Sequence, residues 1–161
     1  GGTLVTFNRG SLFAIEQLHL PVKNVVAGTK RQEFFTGGSI LEVQTEPSQP
    51  VMAGMPARAS IFVDSSPAFE PLDGFTGDVL ARDGIGDLPV AAVLARCQTA
   101  GSPLLSGYLV GEKFLHGKAA ALQVQHEAGR VVLLGFRPQW RGQPFGTFRV
   151  IFNAVLNVPA K

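Results

Sequence analysis

An α/β fold is what the order of elements along this chain predicts. Twice, at 3–18 and again at 131–156, an apolar run rich in β-branched residues passes through a tight polar turn into a segment with helical apolar spacing. Polar residues stand at the end of the strand both times. Strand-like runs outnumber helix-like ones, and Glu127-Ala128-Gly129 between two of them reads as the turn of an antiparallel hairpin. The prediction is a strand-rich, layered sheet with that hairpin, and a β-sandwich is the alternative so many strands allow.

Each element has its own signal. Thr3–Phe7 is short, apolar and β-branched, as a buried parallel strand requires. Ser11 is placed to cap a helix whose apolar positions Leu12, Ile15 and Leu18 follow helical spacing. Residues 21–26 and Ser39–Thr45 read as strands, and in the second Ile40 and Glu42 alternate with Leu41 and Val43. Further strands are predicted at 59–63, 77–82 and 90–97, set apart by Gly, Pro and Asp clusters. Ala119–His126 and 130–136 flank the hairpin turn. The last element is a helix with Thr147 as its cap and Phe148, Ile151, Phe152, Val155 and Leu156 on one face.

Two strand ends carry the functional signal. The first is Gly2-Thr3-Leu4-Val5-Thr6-Phe7-Asn8-Arg9-Gly10-Ser11, and the second is Gly135-Phe136-Arg137-Pro138-Gln139. Together they resemble the active-site halves of class I glutamine amidotransferases, in which one strand ends in the G-x-C-x-G nucleophile elbow and a later one in F-H-P-E. Asn8 stands at the cysteine position, Arg137 at the histidine and Gln139 at the glutamate. The resemblance implies a three-layer amidotransferase-like (flavodoxin-like) sheet, and in open α/β sheets ligands bind beyond the carboxyl ends of the strands.

The replacements empty all three catalytic roles. Acyl transfer needs a nucleophile, a base to take its proton and a carboxylate to hold that base in the right tautomer. Asn8 has no nucleophilic atom, Arg137 keeps its proton at physiological pH, and Gln139 carries no charge. A pseudoenzyme domain with the degenerate triad Asn8, Arg137 and Gln139 is the expectation, with no cofactor.

A second resemblance runs through most of the chain. Phe13-Ala14-Ile15-Glu16-Gln17-Leu18, Leu20-Pro21-Val22-Lys23-Asn24-Val25, Gln32-Glu33-Phe34-Phe35, Gly38-Ser39-Ile40-Leu41, Met52-Ala53-Gly54-Met55-Pro56 and the segment from Gly135 to Gly142 are similar to the C-terminal region of bacterial zinc carboxypeptidases of the carboxypeptidase A type. In those proteins an amidotransferase-like domain follows the peptidase domain. The resemblance implies a secreted or periplasmic parent whose peptidase domain is this segment's partner. The zinc-binding H-x-x-E is not in this chain, since His19, His116 and His126 are followed three residues later by Val22, Ala119 and Gly129. Gly1-Gly2 directly before a strand suggests an N-terminally truncated sheet, a C-terminal fragment of the parent.

Composition narrows the partners. At 161 residues the chain is one domain's length, 1–161, with 45% hydrophobic residues to fill its core. Charged residues are 16%, below the roughly 25% usual for soluble domains, which points to a surface covered by another body. An unpaired sheet edge and an apolar face would pair two copies, so a homodimer is expected. The net charge of +2 is spread without basic runs, which argues against nucleic acid, and no apolar stretch approaches membrane-spanning length.

Three further candidates each have two readings. Cys97 is the lone cysteine and either a small buried hydrophobe or a nucleophile without a glycine elbow. Asp64-Ser65-Ser66 is a turn, or Ser66 is a nucleophile lacking a partnered histidine. The loop from Arg137 to Gln143 gathers Arg137, Trp140, Arg141 and Gln143, which with Arg9 would contact a small anionic or carbohydrate ligand or anchor an interface. The function reading is a non-catalytic accessory domain of the carboxypeptidase-like parent. The alternative is a hydrolase or amidotransferase using Cys97 or Ser66.

Overall fold

The computed structural model describes residues 1–73 and 91–156. The chain runs β1 (Thr3–Phe7), α1 (Arg9–Gln17), β2 (Val22–Asn24), β3 (Phe35–Thr36), β4 (Ser39–Thr45), β5 (Arg58–Val63), β6 (Phe69–Pro71), β7 (Ala91–Arg96), β8 (Leu104–Ser106), β9 (Leu109–Val110), β10 (Ala119–His126), β11 (Gly129–Leu134) and α2 (Phe145–Leu156). Short 3-10 turns lie at Pro50–Met52, Glu112–Phe114 and Trp140–Gly142. The fold is mixed α/β, as the order of elements predicts.

The main sheet has the order β1-β11-β10-β7-β4-β5, with β2, β6 and β8 joined at its sides, and β3 and β9 form a separate ribbon. Among the described residues β1 and β11 are the parallel pair, from Thr3 opposite Arg130 to Phe7 opposite Leu134, and the other pairings are antiparallel. The β10–β11 hairpin closes with His126 opposite Gly129, so its loop is Glu127-Ala128, with Glu127 at φ 49°.

The alternation of β11 explains the layers. Val132 and Leu134 point into the core that holds Val150 and Ala154 of α2, while Val131 and Leu133 join Ala14, Leu12 and Ile15 of α1 in a second core. With a helix on each face, the buried part of the strand, from Val131 to Leu134, is apolar at successive rather than alternate positions. Although β1 and β5 end the strand order at opposite sides, α2 packs against both, and the Arg137 amide donates to the Phe62 carbonyl at 3.1 Å. The sheet therefore curls until the end of β5 meets the ends of β1 and β11.

Several local expectations are corrected. Asn8, not Ser11, precedes the first turn of α1; Ser11 is buried inside the helix and its hydroxyl donates to the Leu134 carbonyl at 3.1 Å, fastening α1 to β11. Thr147 likewise sits inside α2, with its hydroxyl bonded to the carbonyls of Pro138 (2.8 Å) and Pro144 (2.9 Å). The strand expected at 21–26 is confined to Val22–Asn24, because the Val25 amide turns away to the Ala68 carbonyl. The strand at 77–82 lies outside the described residues. In α2 the buried positions are Thr147, Val150 and Ala154, so most of the stripe read from the sequence faces outward.

Candidate functional site

The site is built on the turn from β1 into α1. The Asn8 amide extends the strand by donating to the Leu134 carbonyl at 2.8 Å, and its own carbonyl accepts the Ser11 amide at 3.0 Å to start the helix. It does both at φ 47° and ψ −120°, away from the extended conformation usual at a helix start. A residue with a side chain pays roughly 1–3 kcal/mol for such a conformation and holds it only where the surroundings over-determine it.

Those surroundings are the turn after β5. Asn8 is 5% exposed, and its Nδ2 donates to the Asp64 carbonyl at 3.0 Å and to Ser66 Oγ at 3.2 Å. Ser66 Oγ also accepts the Asp64 amide at 3.1 Å, which closes the 64–66 turn on itself, and Ser65 takes φ 48°. The carbonyl oxygen of the Asn8 side chain is buried with no hydrogen-bond partner among the described residues. The amide is thus consumed on its donor side and open on its acceptor side.

Arg137 reaches the same turn from β11. One terminal nitrogen lies 3.5 Å from the Asp64 carboxylate, and the guanidinium carbon stands 4.4 Å from the centre of the Trp140 ring. Trp140 stacks on Phe62 at 5.6 Å with the planes 7° apart, and Arg141 approaches the ring at 5.4 Å. Trp140 is half-buried, between the open pocket and the sealed anchor. Arg141 holds its place with a left-handed backbone, φ 51°.

Asn8 and Arg137 therefore converge on Asp64, one at its carbonyl and the other at its carboxylate. Gln139 is exposed and its side chain makes no hydrogen bond among the described residues; Arg9 and Gln143 are exposed in the same way. Phe62 is the residue that the sequence argument passed over as a member of a site; Asp64 enters that argument only beside Ser66, and not as the residue that joins Asn8 to Arg137. The available signal was positional: Asp64-Ser65-Ser66 is a third polar group at the end of an apolar strand, like the two motifs it meets.

The other nucleophile candidates lie deeper. Cys97 is 3% exposed, and burial pushes its thiol up to about 11. It shares with Ser66 and Thr36 a small cavity of about 20 Å³, otherwise apolar, that has room for about one water. No histidine hydrogen-bonds to either Cys97 or Ser66 among the described residues: the His116 ring donates to the Gly101 carbonyl at 2.9 Å, and His126 sits beside the hairpin turn. Groups of three or more His, Cys, Asp or Glu side chains able to hold a metal do not occur among the described residues. No helix there is long and apolar enough to cross a membrane.

The fold and site define an α/β domain whose strand-to-helix elbow carries an amide at its apex. No protein-family model matches the chain, and no curated protein is significantly similar to it.

Proposed function

We propose that this chain is a non-catalytic accessory domain, amidotransferase-like in fold and degenerate at its triad positions, of a secreted or periplasmic zinc carboxypeptidase-like protein whose peptidase domain it docks against. The observation that carries the reading is the Asn8 elbow. A sharp, strained strand-to-helix turn is the device that presents a nucleophile at the edge of an α/β sheet. Here it has φ 47° and ψ −120° but presents an amide whose nitrogen is already bonded to Asp64 and Ser66. Beside it a guanidinium, which cannot act as a base, stands in the position that the F-H-P-E resemblance gives to histidine. The link to a carboxypeptidase rests on the short segments that resemble that family's C-terminal region. An anionic or carbohydrate ligand, if the parent presents one, would meet the domain at Arg141 and the exposed part of Trp140.

The test is direct. Glutaminase and esterase assays of the chain are expected to give rates no higher than buffer, and Asn8→Cys alone is expected to leave them there, because no base is restored. Turnover by the unaltered chain that disappears in Cys97→Ala or Ser66→Ala would overturn the reading. The coding sequence preceding Gly1 tests the parent: it is expected to encode a domain with a zinc-binding H-x-x-E motif.

Burial weighs against the alternative nucleophile Cys97 and makes its own prediction. The native thiol titrates near 11 rather than at its ordinary 9.0, so the folded state holds its proton more tightly than the unfolded one. That contribution is present in full below about pH 8.5 and is lost as pH rises towards 11. Urea midpoints should fall by the equivalent of about 1–2 kcal/mol more between pH 8 and 10 in the native chain than in Cys97→Ala. Equal slopes would show the thiol to be no harder to ionise in the fold, and would return Cys97 to consideration.

A further inference from the structure

The outward side of α2 carries four of the nine large hydrophobic side chains that are exposed among the described residues. Phe145 is 74% exposed, Phe152 62% and Leu156 78%, and Val155 is exposed beside them, with the half-buried Phe148 packed edge-on against Phe145 at 5.4 Å between centroids. At 100° per residue these five fall within an arc of about 100°, turned away from the buried Thr147, Val150 and Ala154. The remaining polar side chains are already engaged. Arg149 donates to the Gly54 carbonyl at 2.8 Å, and Asn153 donates to Val51 and Ala53 at 3.1 and 2.9 Å, so both lean onto the 3-10 turn and its flank rather than over the stripe. Nothing charged interrupts the apolar arc.

We propose that this stripe is a homodimer interface in which α2 of one copy lies antiparallel against α2 of a second copy. The spacing favours a second copy over another partner. Phe145, Phe148, Phe152 and Val155 recur at intervals of three, four and three, a pattern symmetric about position 150. Reversing the helix brings Phe148 opposite Phe152 and Phe145 opposite Val155, so these four positions are self-complementary under a two-fold axis, as an isologous contact requires, with Leu156 at the margin. The area reaches the threshold when the stripe is fully covered. With about 200 Å² for a whole phenylalanine side chain, the exposed part of the stripe amounts to roughly 500 Å² per copy, about 1,000 Å² for a pair, the lower bound for a specific interface. A membrane surface fits less well, since interfacial helices flank the apolar face with several Lys or Arg and α2 has Arg149 alone. The inference does not depend on how the Asn8 site is read.

Sedimentation equilibrium of the 161-residue chain tests it, with two variants on separate surfaces. The native chain is expected to move from monomer to dimer mass as concentration rises. Phe152→Glu places a carboxylate in the centre of the stripe and should raise the dissociation constant at least 100-fold, with circular dichroism and melting temperature kept. Leu4→Glu alters the exposed outer strand β1 and should leave the dimer intact. A monomer at every concentration, a dimer that survives Phe152→Glu, or co-sedimentation of the chain with phosphatidylcholine–phosphatidylserine vesicles in place of pairing would each overturn the proposal.

Discussion

Truncating Phe136 to alanine is expected to lower the stability of the domain by about 3–5 kcal/mol, the usual cost of removing a fully buried aromatic ring. In a chain of this length that corresponds to a fall of about 10–15 °C in melting temperature. Phe136 is 1% exposed and belongs to the core shared by Val132, Leu134, Val150 and Ala154, between the end of β11 and the inner side of α2. The cavity cannot collapse easily, because the next residue's amide is tied to the Phe62 carbonyl and the Thr147 hydroxyl holds the Pro138 carbonyl. Urea or thermal unfolding of the native and Phe136→Ala chains reads the effect. A loss below about 1 kcal/mol would mean that this phenylalanine is part of an exposed loop, and the assignment of the motif to the sheet's carboxyl end would go with it.

Signals confined to one element were legible in the sequence, and those made by the meeting of elements were not. Ser39–Thr45 and Ala119–His126 are found with the bounds their patterns give, because strand periodicity is written in neighbouring residues. β1 beside β11 in parallel was within reach for the same reason: Val131, Val132, Leu133 and Leu134 form an unbroken apolar run and β1 is interrupted only by threonines, as strands covered on two faces allow. Helix starts were not legible. Ser11 and Thr147 are good caps by residue type, but each is drawn into its helix by a distant carbonyl, Leu134 in one case and Pro138 in the other. The orientation of α2 was lost similarly. Its phenylalanines form the stripe that periodicity picks out, whereas the curled sheet accepts the smaller Val150 and Ala154. In the site, Asn8 and Arg137 could be named from their strand ends. Asp64 could be seen as part of a polar strand end, but its meeting with the other two could not, because the curl that brings the end of β5 to β1 follows from the strand order rather than from any local pattern.

The two motif glycines are expected to respond in opposite directions to the same substitution, and their difference is the sharper test of the elbow. Gly135 passes between two backbone strands: its amide donates to the Ala120 carbonyl at 2.8 Å, and a Cβ there would lie 2.5 Å from the Pro67 carbonyl oxygen and 3.0 Å from that of Ala120. Neither oxygen can swing aside as a side-chain tip would. Gly135→Ala must therefore push the end of β11 away from the 66–67 turn, at a cost of about 2–3 kcal/mol, and Ser66 should lose register with Asn8 Nδ2. Gly10 lies in the first turn of α1 with open space where a Cβ would go. Gly10→Ala relieves only the backbone freedom of glycine and should stabilise the helix by about 0.5–1 kcal/mol. Denaturant unfolding of the two variants side by side should separate them by roughly 3 kcal/mol. Equal effects would mean that the approach of β11 to Pro67 is not a fixed feature of the fold, and that the turn holding Asn8 in its strained conformation is not the rigid frame described above.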